Sequence, residues 1–159
     1  MKILVLSDLH VEFAPFRPPH EAAASADVVV LAGDIHQGNL APSWARQTFP
    51  DKPIVLVAGN HEFYNGQWER TLDSIRQAAY AHEVHFLEDT AVTISGVRFL
   101  GATLWTDFEY FGMELRHTAT LAAQRYMADY RLVEGCTPQA TVERHKVSRT
   151  WLEREIAAP

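Results

Sequence analysis

Three short stretches of this chain carry residue types that can do chemistry: Asp8-Leu9-His10, Gly33-Asp34 and Gly59-Asn60-His61-Glu62. Asp8 and His10 are two apart, and in extended backbone that spacing points both side chains the same way, toward one shared ion. Asp34 follows a glycine that lets the chain turn sharply, and Asn60 and His61 follow another. Carboxylate, amide and imidazole donors without a thiolate suit Mn²⁺, Fe or Zn²⁺. A carboxylate such as Asp34 can bridge two cations about 3.5–4 Å apart, the separation used by two-metal phosphate chemistry. Singly, these motifs are weak: Gly-Asp is commonly a turn, and Asn60 could simply cap a helix. In conjunction, each closing a β-type run, they specify a metal or phosphate site.

The elements that must position them follow from hydrophobic periodicity. Residues 2–8, 27–32 and 53–58 are apolar runs that read as strands of a parallel sheet, the third of them buried, and open α/β sheets bind ligands at the carboxyl ends of such strands. Between them, residues 21–25 and 40–48 suit short helices. Residues 66–81 place Trp68, Leu72, Ile75 and Ala79 on one helical stripe. This βαβαβα order predicts a parallel sheet with helices on both faces. Beyond residue 83 the pattern changes. Residues 84–87 read as a short strand, and 91–94 and 97–104 as a hairpin around Ser95-Gly96. Residues 105–112 form an aromatic loop, and 113–130 and 138–157 read as helices, the second opening at Thr137-Pro138.

Bulk composition narrows the class. The 159 residues are 47% hydrophobic and 21% charged, which suits one domain with a sizeable core. No run approaches the length of a membrane span, and Asp8 interrupts the apolar N-terminus too early for a signal peptide. The single cysteine, Cys136, excludes an internal disulfide framework and, as a free loop thiol, fits a reducing compartment, so a cytoplasmic location is expected. A net charge of −6 argues against nucleic acid held by phosphate neutralisation, although a metal could still bring a phosphate to an acidic chain.

The three motifs, with Gly101-Ala102-Thr103-Leu104-Trp105 downstream, resemble those of the calcineurin-like metallophosphoesterases. The resemblance implies an α/β fold, a β-sandwich flanked by helices around a two-metal centre, and hydrolysis of a phosphate ester, either a monoester or a diester. It implies two divalent ions, Mn, Fe or Zn, with Mn foremost. Asp8 and His10 would hold the first, Asp34 would bridge both, and Asn60 would bind the second. His61 would stand beside the leaving oxygen as general acid or charge stabiliser, oriented by a carboxylate. Asp34 and His61 would thus be the catalytic residues, and Asn60, His61 and His36 would face the substrate.

That family supplies three further histidines from its second half, two of them in a Gly-His-x-His turn, and this sequence has no such motif. The expectation is a single domain, residues 1–159, that lacks its C-terminal strands and last ligands. Its second metal would keep only Asp34 and Asn60, and the open apolar sheet edge would favour pairing of copies. An impaired family member acting as a metal-binding or protein-interaction module is the alternative. His82, His85, His117 and His145 read as surface groups, and Arg116, Arg125 and Arg131 as a solvated helix face. Trp105, Phe108, Tyr110 and Phe111 read as packing for the following helices or as a substrate wall. Val147, Trp151 and Leu152 read as the core stripe of the last helix.

Overall fold

The computed structural model describes residues 1–158. Four strands form one parallel sheet in chain order: β1 (Ile3–Leu6), β2 (Val28–Ala32), β3 (Ile54–Val57) and β4 (His85–Phe86). Leu6 pairs beside Leu31, and Ala32 beside Val57, so the first three strands end nearly level and present their following loops along one edge.

Side chains alternate cleanly across this sheet. Val29, Leu31, Ile54 and Leu56 face a core shared with Phe49, Phe63, Leu72 and Ile75. That core is closed by α2 (Ala41–Thr48) and α3 (Trp68–Ala81), with Ala23 of α1 (His20–Ser25) packed against it. Each buried Leu, Ile or Phe contributes about 1.5–3 kcal/mol relative to exposure. Val28, Val30, Val55 and Val57 face the other way, toward Leu87 and toward Val92, Ile94 and Phe99 of an antiparallel hairpin, β5 (Thr90–Ile94) and β6 (Val97–Gly101). Ser95 and Gly96 both adopt positive φ, 49° and 80°, as a two-residue hairpin turn demands. A Cβ on Gly101 would stand 2.4 Å from Leu87 Cβ, so the hairpin approaches the sheet closely only because that residue has none.

Helices therefore do not cover both faces, as the alternating pattern predicts. The strands are laid down in order without reversal, and successive right-handed crossovers in one direction put α1, α2 and α3 on the same face. The hairpin takes the second face and makes the sandwich. At its margin β1 is an edge strand with Ile3 and Val5 exposed.

The second half also differs from its periodicity. The single helix expected over 113–130 divides into a 3₁₀ turn (Met113–Leu115), α4 (Arg116–Tyr126) and α5 (Asp129–Leu132), because Met127 takes extended backbone, φ −82° and ψ 138°. The final helix, α6 (Pro138–Ala157), begins where expected: Thr137 Oγ1 accepts the Ala140 amide at 3.1 Å. Its hidden face is Pro138, Thr141, Val142 and Ser148 rather than one that includes Val147, which is 59% exposed. Thr141 and Ser148, seven apart, lie on one stripe, and their small side chains let that stripe approach the core. No helix of the described residues is long and apolar enough to cross a membrane.

Candidate metal centre

The loop after β1 is zipped to the loop after β2. The Asp8, His10 and Val11 amides donate to the Gly33, Asp34 and Ile35 carbonyls at 3.1, 3.0 and 3.0 Å. Both motifs lie beyond their strands, and Asp8, His10 and Asp34 all adopt left-handed backbone, with φ 53°, 45° and 55°. This corrects the extended geometry expected for Asp8 and His10: β1 stops at Leu6, and the chain bends at each candidate ligand residue. Asp and His tolerate this region better than most residues, at a cost of order 1–3 kcal/mol each, and such strain concentrates at functional sites. The bend makes the convergence. One ligand atom from each of Asp8, His10 and Asp34 falls within 4.8 Å of the others, and His10 Nε2 is 4.0 Å from Asp34 Oδ2.

The loop after β3 closes on the same point. A Cβ on Gly59 would lie 2.1 Å from Asp34 Oδ1, and one on Gly33 would lie 2.8 Å from the Gly59 amide nitrogen. Both glycines are therefore required by backbone meeting backbone. Glu62, only 1% exposed, fastens the junction. Its Oε2 accepts the Asp34 and Gly59 amides at 3.0 and 2.8 Å, and its Oε1 accepts those of Ile35 and His36 at 2.8 and 3.3 Å. Burial raises its pKa above the ordinary range, opposed by these amides. The motif flagged Glu62 in the sequence, but its partners come from a loop some 27 residues earlier and were not visible there.

Asn60 Nδ2 donates to the Tyr64 hydroxyl at 2.9 Å, which leaves its carbonyl oxygen for another partner. Burial, then the charge of Asp129, raises the Tyr64 phenol. The His61 amide donates to Asp34 Oδ1 at 3.0 Å, and its ring Nδ1 lies 3.2 Å from Glu12 Oε1. Burial works to raise the Glu12 carboxyl, but a backbone hydrogen bond and the facing His61 and His10 imidazoles outweigh it and hold the group below its ordinary value. Glu12 is thus the carboxylate against His61, a residue that sequence reasoning passed over. Its signal was present, two positions beyond His10, but only the bend brings it back to the edge.

A cavity of about 310 Å³ opens beside Asp8, Asp34 and Asn60, and His10, Glu12 and His61 stand outside its lining. Asp8, Asp34 and Asn60 line one side, and Thr103, Trp105 and Asp129 stand among the residues of the other. Thr103 is fixed by Glu88, whose Oε2 accepts its amide and hydroxyl at 3.0 and 2.7 Å. Trp105 stacks into the core beside Phe63 and Trp68, at ring distances of 5.7 and 4.6 Å. It is both packing and wall, whereas Tyr110 and Phe111 do neither and stand exposed. His36 does not line the cavity; its amide is held by Glu62, and its ring Nδ1 is buried without a partner. Two groups read as solvated are engaged: His145 contacts the Trp105 carbonyl and lies 3.4 Å from Asp107, and Arg116 pairs with Glu109 at 3.0 Å. Both bonds span a loop-to-helix contact that helical periodicity does not register. Cys136 is buried, and burial foremost pushes its thiol up to about 12, so it is inert.

The donor set fits a divalent cation. Asp8 makes no side-chain hydrogen bond or ion pair among the described residues, and His10 Nδ1 is buried without a hydrogen bond, 3.7 Å from Glu12 Oε1. Two donor atoms about 2.1 Å from a common ion stand roughly 3–4 Å apart, which the His10–Asp34 gap satisfies.

A family model described as calcineurin-like phosphoesterase matches residues 1–132. No curated protein matches the chain in sequence. Among solved structures, a phosphopantetheinyl hydrolase from Mycobacterium tuberculosis superposes with a TM-score of 0.67 at 16% identity, over 96% of this chain and 63% of that one. The likeness shows a common fold, and this chain spans less than two thirds of that protein's length.

Proposed function

Because the chain belongs to the calcineurin-like phosphoesterase family, we propose that it hydrolyses phosphate esters with divalent metal ions held by Asp8, His10, Asp34 and Asn60. The observation that carries this reading is the convergence of the Asp8, His10 and Asp34 ligand atoms within 4.8 Å at the carboxyl edge of the sheet. Bound there, such ions supply Lewis acidity toward phosphoryl oxygens and a nucleophile from water near neutral pH. The chain's own groups do the rest. Asp34 would be the ligand common to both ions, and its Oδ1 is steadied by the His61 amide. The cavity beside it accepts the phosphoryl group, with Trp105 and Thr106 as a partly apolar wall.

His61 protonates the departing oxygen. Glu12 at Nδ1 fixes the ring and leaves Nε2 to carry the proton, and the Tyr64 ring at 4.3 Å holds the imidazole plane. Substrate class within phosphate esters is open to assay, and the phosphopantetheinyl ester named for the structural neighbour belongs in the panel beside generic aryl mono- and diesters. Pairing of two copies along the β1 edge would cover Ile3 and Val5, which sedimentation at rising concentration measures.

The test is turnover of the Mn²⁺-loaded protein on p-nitrophenyl phosphate and its bis ester, with metal content measured alongside. His61→Ala should lower turnover about 10²–10⁴-fold while metal content stays at the wild-type level. Asp34→Asn should lose metal and turnover together. An Asp34→Asn protein that keeps both would overturn the assignment.

A further inference from the structure

The Asp34–Asn60 side of the centre has few ligands from the strand-end loops, yet a third carboxylate stands across the cavity from it. Asp129, at the start of α5, is 4% exposed and lines the same space as Asp8, Asp34 and Asn60. Its side chain makes no hydrogen bond and no ion pair among the described residues, and no Lys, Arg or His nitrogen lies within 4.0 Å. The residue is largely buried and its carboxylate opens on the cavity rather than on a protein partner; a carboxylate so placed in a native protein is ordinarily paired or coordinates a metal. Its place in the first turn of the short α5 suits a carboxylate, but no side chain or amide among the described residues bonds to it, while the cavity it faces already gathers oxygen donors.

The backbone shows that the position is held on purpose. Met127 breaks the helix before it with an extended conformation, so α5 turns in toward the sheet edge. The Asn65 amide donates to the Leu132 carbonyl at 2.8 Å, the Trp68 amide to the Glu134 carbonyl at 3.2 Å, and the Glu134 amide to the Gly66 carbonyl at 2.9 Å. These bonds tie the end of α5 to the segment that follows Asn60-His61, and fix Asp129 relative to Asn60 through backbone.

We propose that Asp129 is a metal ligand: with Asp34 and Asn60 it holds the second divalent cation of the centre. The inference rests on the metal-dependent reading above. It gives the second ion two carboxylates and an amide carbonyl, a hard oxygen set that suits Mn²⁺ or Mg²⁺ better than Zn²⁺. The Tyr64 hydroxyl takes the Asn60 amide nitrogen and so leaves the Asn60 carbonyl oxygen without a protein partner.

Mn²⁺ titration of the intact chain, with free ion followed by electron paramagnetic resonance, tests it without any turnover measurement. The wild type should bind two ions and show the coupled signal of a close pair. Asp129→Asn, nearly isosteric, should keep the first ion at unchanged affinity, weaken the second about 100-fold or more, and lose the coupled signal. Asp129→Glu, which keeps a carboxylate, should retain two ions and serves if the Asn variant does not fold. An Asp129→Asn protein that binds both ions as tightly as wild type overturns the role of Asp129 and leaves the Asp8–His10–Asp34 site standing. A wild type that binds one ion overturns it too. A wild type that binds none removes the metal-dependent reading as well.

Discussion

The two walls of the cavity are built by different means. The strand-end wall is backbone locked to backbone: Gly33 against Gly59, Asp8 and His10 bonded to the loop after β2, and four amides converging on Glu62. The opposing wall, over residues 103–127, hangs on side chains: Thr103 on Glu88, Trp105 on Phe63, Trp68 and His145, and α4 on little more than Ala123; only α5 beyond it is tied by backbone bonds. Leu115, Leu121, Tyr126 and Met127 of that region are exposed. The difference teaches where precision resides. The ligands proposed for the first ion sit on the locked wall, and the wall proposed to meet substrate at Trp105 and Thr106 is the one held more loosely.

The comparison breaks most sharply at Gly59. Gly59→Ala pushes a methyl group into Asp34 Oδ1 and the Asp34 amide, neither of which can yield without losing the Glu62 and His61 bonds. It should cost about 3 kcal/mol or more in urea denaturation, at the upper end of overpacking effects, and abolish metal binding. An Ala variant of wild-type stability would show that the two loops are not locked.

A smaller effect separates the walls by pH. Burial raises the Glu88 pKa, opposed by its Thr103 bonds, so the folded state holds that proton more tightly than the unfolded chain. This group therefore favours folding in mild acid, and its contribution is lost as pH rises through the raised value. Glu88→Gln keeps an acceptor for Thr103 but removes the charge. Its thermal midpoint should gain on wild type between pH 5 and neutrality, a window that follows from a raised pKa above about 4.5. Parallel pH profiles for the two proteins would exclude Glu88 as the titrating group.

The smallest effect lies on α4. Leu121 is 53% exposed, and Leu121→Gln should change stability by less than about 0.5 kcal/mol in the same denaturation assay. A large loss would mean that this face is covered in solution.

Much of the first wall was legible in the sequence, since its strands and glycine punctuation are local signals. The hairpin turn at Ser95-Gly96 and the start of α6 at Thr137 were equally plain. The covering of the sheet was misread, because βαβ alternation does not state strand order, and order decides which face receives the helices. Asp8 and His10 were assigned to one site by the wrong geometry: spacing suggested extended backbone, and the structure bends at both.

Sequence alone determined which residue types end the three strands, and so the chemistry open to this protein: hard-ligand metal binding with an imidazole beside it. Tertiary structure alone decided that Glu12 faces His61, that Glu62 gathers amides from the neighbouring loop, and that Asp129 reaches the cavity from a helix some 70 residues beyond Asn60. The physical reason is range. Apolar periodicity and turn residues act over a few positions and are written locally. A carboxylate's partners are fixed by which loops the sheet brings side by side, and no spacing in the chain encodes that.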